Sequence, residues 1–212
     1  MTTTRITIAG RTLSEPVKTL IDYTKRYAGT LATYDFGNKG DPNILTADDI
    51  WTTRIIHSRF SHAERSALEE RSSIWSENWA AIAPTACIVD ADPEIEDGLY
   101  DAMQKLYSLM TDLHGVGWAK ASKVLHFKRP DLYPILDSRL MDLYRDAATR
   151  AARQYKKRGL TRMYWAAIRI DVMANTDALK KLREDLNTQG NETSKLSALS
   201  DLRILDILSW SR

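Results

Sequence analysis

The chain has 212 residues, 43% of them hydrophobic and 27% charged, with 30 Lys/Arg against 28 Asp/Glu and a single cysteine. This is the composition of an ordinary globular protein, with enough material for one compact domain or two apposed helical lobes. One cysteine, Cys87, excludes an intrachain disulfide and a thiolate-held iron–sulfur cluster, and no apolar window is long enough to span a bilayer.

Residues 1–10 carry no apolar signal core, so the expectation is a cytoplasmic protein without a membrane partner. Residues 4–9 alternate weakly and predict at most a short edge strand. Glu15 to Ala28 reads as a helix, with Ser14 as its cap, Pro16 in the first turn and Val17, Leu20 and Ile21 on one face. Residues 29–45, rich in Gly, Asp and Asn, predict a loop. Thr46 and Asp49 form a short-armed capping box for a helix that turns Ile50, Ile55 and Ile56 inward and leaves Arg54, His57 and Arg59 partly available. Ser61 and Glu64 form a second box, for a polar helix through Arg71. In Ser72 to Ile82, Trp75 and Trp79 stand four apart and predict core packing. A linker follows over 84–93.

Glu94 to Leu113 predicts a long helix with Leu99, Met103, Leu106, Met110 and Leu113 on its buried face. A second helix, Trp118 to Phe127, must end before Pro130. Three more helical patterns run Asp137 to Arg158 (stopped by Gly159), Thr161 to Asn187 and Thr193 to Trp210. There is no internal repeat and no low-complexity tract. The predicted class is all-α, with one domain over 1–212.

The net charge of +2 hides an asymmetry. Leu113 to Ile170 holds thirteen Lys/Arg against four Asp, a balance of +9, which leaves −7 for the remainder. Such a segment suits a polyanion-binding face, although a run like Arg145 to Arg158 is also what a solvated helix face looks like. The basic stretch begins at Leu113-His-Gly-Val-Gly-Trp-Ala-Lys-Ala-Ser-Lys, where Gly115 and Gly117 bracket one valine between two helical patterns. A hairpin of this kind leaves orphan amides at the start of the second helix, where the helix dipole also favours an anion. Lys120 and Lys123 add charge nearby. Asp137 follows in Tyr-Pro-Ile-Leu-Asp, twenty residues after Gly117.

From Leu113 to Leu140, without a gap, the chain resembles the helix-hairpin-helix DNA glycosylase superfamily, its Tyr-Pro-Ile-Leu-Asp being most similar to the adenine-excising branch. The resemblance implies a helical glycosylase-like fold, double-stranded DNA as partner and Asp137 as the catalytic carboxylate. It implies DNA contact by His114, Gly115, Val116, Gly117, Trp118, Ala119, Lys120, Lys123 and Arg139. It also puts a monovalent cation on the carbonyls of Thr111, Leu113 and Val116, and base-pocket residues on the Thr46 helix at Trp51, Arg54 and His57. No other cofactor is expected, since the cysteines of an iron–sulfur cluster are missing. The family's catalytic glutamate aligns with Thr52 or Thr53, which argues against adenine as the substrate. The lysine of strand-cleaving relatives aligns with Ala119, and Lys120 is turned about 100° from it, so a monofunctional enzyme directing Lys120 to phosphate is expected. His114 stands where the family has proline.

A carboxylate beside the sugar stabilises the cation that develops as an N-glycosidic bond breaks, and a flipped base gives access to that bond. Asp137 is equally suited to cap the next helix, and the two roles are compatible. The base, damaged in host DNA or modified on invading DNA, stays open. A non-catalytic helix-hairpin-helix DNA-binding module is the second reading, and a protein-interaction domain for an acidic partner a third.

Overall fold

A computed structural model describes residues 4–210 and shows an all-α fold that carries one two-stranded antiparallel sheet near its start. The elements in chain order are β1 Ile6–Ile8, β2 Arg11–Leu13, α1 Pro16–Arg26, the single turn α2 Ala28–Thr30, α3 Ala47–Thr52, α4 His62–Glu69 and α5 Ser72–Ala80. There follow α6 Leu99–Thr111, α7 Trp118–Lys128, α8 Ser138–Gln154, α9 Tyr164–Ala174, α10 Thr176–Asn187, α11 Asn191–Ser194 and α12 Asp201–Trp210. The chain divides into two compact units, one of residues up to Ala28 together with those from Arg139 onward, the other Gly29–Ser138. Among the described residues no helix is long and apolar enough to cross a membrane.

In the first unit the weak alternation of residues 4–9 becomes β1, and it has a partner the sequence did not suggest. Ile6 pairs with Leu13 and Ile8 with Arg11, around a two-residue turn whose Ala9 and Gly10 both have positive φ. Alanine at the first turn position is not the Asn or Asp that announces such hairpins, which is why β2 is not evident in the sequence. Asn175 then acts as a third strand in miniature. Its side chain accepts from the Thr7 amide at 2.9 Å and donates to the Thr7 carbonyl at 2.7 Å. That role splits the helix expected over 161–187 into α9 and α10 at Asn175. Ser14 does not cap α1: the cap position is Glu15, without a side-chain bond, and Pro16 opens the helix.

The second unit is built on Trp75, Trp79, Met103, Leu106, Met110 and Leu125, all fully buried. Helix α6 begins at Leu99, later than expected, because Asp97 adopts a left-handed conformation and Gly98 caps the helix. The Thr46 helix is also shorter. After α3 the chain tightens into a 3-10 turn over Thr53–Ile56 and stops at His57, whose φ is 63°. Residues 29–45 contain more structure than a loop, since a π-helical turn over Leu31–Asp35 carries Tyr34 into a cluster with Phe127 and Ile135.

The end of α7 holds that region down. The Lys128 ammonium is fully buried and donates to the carbonyls of Lys39 (2.8 Å) and Asp41 (3.1 Å) and to Asp49 Oδ2 (2.6 Å). Arg129 donates to the Pro42 carbonyl at 2.6 Å, Asn43 Oδ1 at 2.7 Å and the Ile82 carbonyl at 3.0 Å, with its guanidinium 4.9 Å from the Trp79 ring centre. Deleting one partner of a buried pair such as Lys128–Asp49 costs about 3–5 kcal/mol. Two of the thirteen cations in the basic segment are thus turned inward as anchors.

Candidate functional site

Between α6 and α7 the chain reverses over residues 112–117. Leu113 and Val116 are buried under the turn, and the Val116 amide donates to the Leu113 carbonyl at 3.0 Å. The two glycines answer different needs. Gly115 has φ +81°, and a methyl group there would run into Glu64 Oε1. Gly117 has an ordinary φ of −75°, and a methyl group there would meet nothing within 4 Å. The fold therefore explains the first glycine, whereas the second stands beside open space. Gly117 is also the cap position of α7, with no side chain capping it, and the amides of Trp118 and Ala119 donate to no group among the described residues. A helix start in this state offers aimed donors and a positive dipole end to an anion.

The turn is latched from α4. Glu64 completes the predicted capping box, accepting from the Ser61 amide at 2.9 Å, and the same Oε2 accepts from Lys120 Nζ at 2.6 Å. Lys120 also donates to the Gly115 carbonyl at 3.0 Å and lies 5.3 Å from the Phe60 ring centre. Its ammonium thus braces the hairpin from within, in place of the outward reach to phosphate expected from the sequence.

Asp137 is half-buried and stands immediately before α8. Two side chains of α7, four residues apart and so on one face, hold the segment leading to it. Ser122 Oγ accepts from the Leu136 amide at 3.0 Å and lies 3.2 Å from the Leu136 carbonyl. Buried His126 donates from Nδ1 to the Tyr133 carbonyl at 2.7 Å, since a carbonyl can only accept. Tyr133 in turn donates to the Met103 carbonyl of α6 at 3.2 Å. Ser122 is four residues into α7, about 6 Å along its axis from Trp118. Hairpin and carboxylate are therefore two ends of one braced structure. Nothing in the spacing of Pro-Ile-Leu-Asp announced Ser122 or His126, but a polar pair at helical spacing amid Ala121, Val124, Leu125 and Phe127 is a signal that could have.

Residues 16–212 match the family described as "Family of unknown function (DUF6308)". The chain belongs to the DUF6308 family. Comparison with curated proteins and with solved structures finds no match. The family's description names no activity.

The remaining expected residues fall in several places. Trp118 is 39% exposed and His114 is exposed, both at the hairpin of this DUF6308 chain. Lys123 is partly buried on α7, where its carbonyl accepts the Tyr34 hydroxyl at 2.8 Å. Arg139 belongs to the other unit, its guanidinium 5.2 Å from the Trp210 ring centre. His57 is exposed, at the left-handed end of the 3-10 turn. Trp51 is 52% exposed, with Arg54 stacked 4.0 Å from its ring centre.

Proposed function

We propose that this DUF6308 protein is a DNA-binding, monofunctional DNA glycosylase that hydrolyses the N-glycosidic bond of a flipped, damaged or modified base in double-stranded DNA, in base excision or in defence against base-modified foreign DNA, and that it works in the cytoplasm. One observation carries the reading. The backbone before Asp137 is hydrogen-bonded through Ser122 and His126 to the helix whose open N-terminus forms the hairpin. A carboxylate braced against an anion-gripping helix start is what glycosidic cleavage on a phosphodiester chain requires. The hairpin holds the strand, and Asp137 stabilises the developing sugar cation and orients water.

The carbonyls of Thr111, Leu113 and Val116 are neutral, hard oxygens suited to a monovalent cation, and the Leu113 carbonyl keeps a second lone pair after accepting from Val116. A cation there would supply positive charge toward a phosphate.

The Asp137→Asn variant tests the assignment. Asparagine caps a helix nearly as well as aspartate, so melting and DNA affinity should hold. Base release, measured over a panel of damaged and modified duplexes, should fall by orders of magnitude, about 3 kcal/mol or more of barrier. Unchanged base release, or no release from any duplex by the unaltered protein, leaves the hairpin as a binding module only. A second measurement concerns the lyase step. With alanine at position 119 and Lys120 tied to Glu64, borohydride should trap no covalent protein–DNA adduct.

A further inference from the structure

Helix α4 presents Glu64 to the hairpin turn, and its next residue, Arg65, to a different feature. The Arg65 guanidinium lies 5.4 Å from the Trp51 ring centre, and that of Arg54 lies 4.0 Å from the same centre. Two cations thus share one indole that is itself 52% exposed. Among the described residues neither guanidinium has a hydrogen bond or an acidic partner, and Arg65 Nε is buried without one. The nearest carboxylate in sequence, Glu64, is engaged by Lys120 and Ser61.

We infer that Trp51, Arg54 and Arg65 form a phosphate-binding cluster beside the hairpin, taking a phosphodiester of the same DNA strand. A guanidinium over an indole uses its face and leaves N–H donors at its edge; in Arg65 the terminal nitrogens, not the buried Nε, are the ones open to a ligand. The ring therefore fixes the direction of a donor fork whose shape matches two phosphate oxygens. Two guanidiniums held at one ring without a counter-charge repel each other, and an anion bridging them relieves that repulsion. Glu64 at the hairpin turn and Arg65 in the cluster are consecutive residues of α4, about 100° apart around its axis. One DNA strand presents a charge about every 3.4 Å along the duplex axis, so a strand gripped at the hairpin has further phosphates for the cluster. This assignment gives Trp51 and Arg54 a role on the sugar–phosphate backbone in place of a base pocket, and it adds Arg65. It rests on the reading of the hairpin as a DNA grip.

The test is fluorescence anisotropy of a labelled duplex across a salt series, with the unaltered protein, Arg54→Gln/Arg65→Gln, Trp51→Phe and Trp51→Ala. For the double arginine variant, affinity should fall and the slope of log K against log salt should decrease by about 0.9 for each phosphate that is no longer neutralised. Trp51→Ala should weaken binding with little change of slope, because the charges remain but lose their platform, and Trp51→Phe should restore most of the affinity. Salt-dependent binding by the unaltered protein, with the same affinity and slope in the double variant, overturns this proposal and leaves the hairpin reading standing. The same holds if only Trp51→Ala matters, for then the indole is taking a base. If the unaltered protein shows no salt-dependent binding, both readings fall.

Discussion

Glu64 shows how much one side chain can combine. It closes a capping box, fills the space over Gly115 and neutralises Lys120. Burial pushes its carboxyl upward, but the hydrogen bond from Lys120 and the Ser61 amide outweigh burial and hold it below the ordinary 4.5. A depressed carboxyl contributes stability above its unfolded value and loses it as pH falls through the folded one. Glu64→Gln keeps the box, since glutamine serves at that position. It should therefore cost up to about 1 kcal/mol at neutral pH, and the difference in melting should shrink below pH 4.5. The substitution also releases Lys120 beside the hairpin. DNA affinity should rise and the salt slope should steepen by about 0.9; a variant that binds more weakly would show Glu64 to be needed for the shape of the turn. The box was legible in Ser-x-x-Glu because both partners lie in one turn of chain. The latch was not, because Gly115 and Lys120 meet Glu64 only through tertiary packing.

At the scale of elements, the two hairpin glycines give opposite expectations. Gly115→Ala forces a left-handed residue, costing about 1–2 kcal/mol, and drives a methyl group against Glu64, so melting should drop clearly. Gly117→Ala meets no atom and needs no unusual φ, so stability should stay within about 0.5 kcal/mol. Its effect should appear only on DNA, as a loss of affinity where the backbone amides meet phosphate. Calorimetry and a DNA titration on the two variants separate folding from binding, and a Gly117→Ala protein that binds normally removes the hairpin from the interface. The arms of this hairpin were readable because apolar residues recur at helical spacing on α6 and Pro130 limits α7. What failed was non-local. The late start of α6 depends on Asp97 turning left-handed, and the break between α9 and α10 depends on Asn175 bonding a strand far away in sequence. Likewise Gly-Val-Gly and Pro-Ile-Leu-Asp stand out in the sequence, while the Ser122 and His126 bonds that tie them together do not.

Across the whole molecule, one carboxyl in each unit responds to acid, and the two, Glu64 and Asp171, do so with opposite signs. In the unit that pairs the β1–β2 hairpin with α8 to α12, Asp171 Oδ2 accepts the Ala9 amide at 2.6 Å and so holds the turn of that hairpin. Burial raises the Asp171 carboxyl above its ordinary 3.8, against the pull of the Ala9 amide and of Arg150. Beside it, Tyr144 is pushed well above the usual phenol range, first by burial and then by the Asp171 charge. A carboxyl raised in the folded state has the opposite linkage to Glu64. Its contribution is full below 3.8 and is lost as pH rises through the folded value. Asp171→Asn keeps an oxygen to accept from Ala9 and removes the buried charge. Relative to the unaltered protein, the variant should therefore gain stability as pH rises from about 3 to about 7, read as a difference in urea midpoints at the two pH values. A variant that instead loses most at neutral pH would mean that the Ala9 amide and Arg150 outweigh burial, making the ionised carboxylate a net anchor of the hairpin.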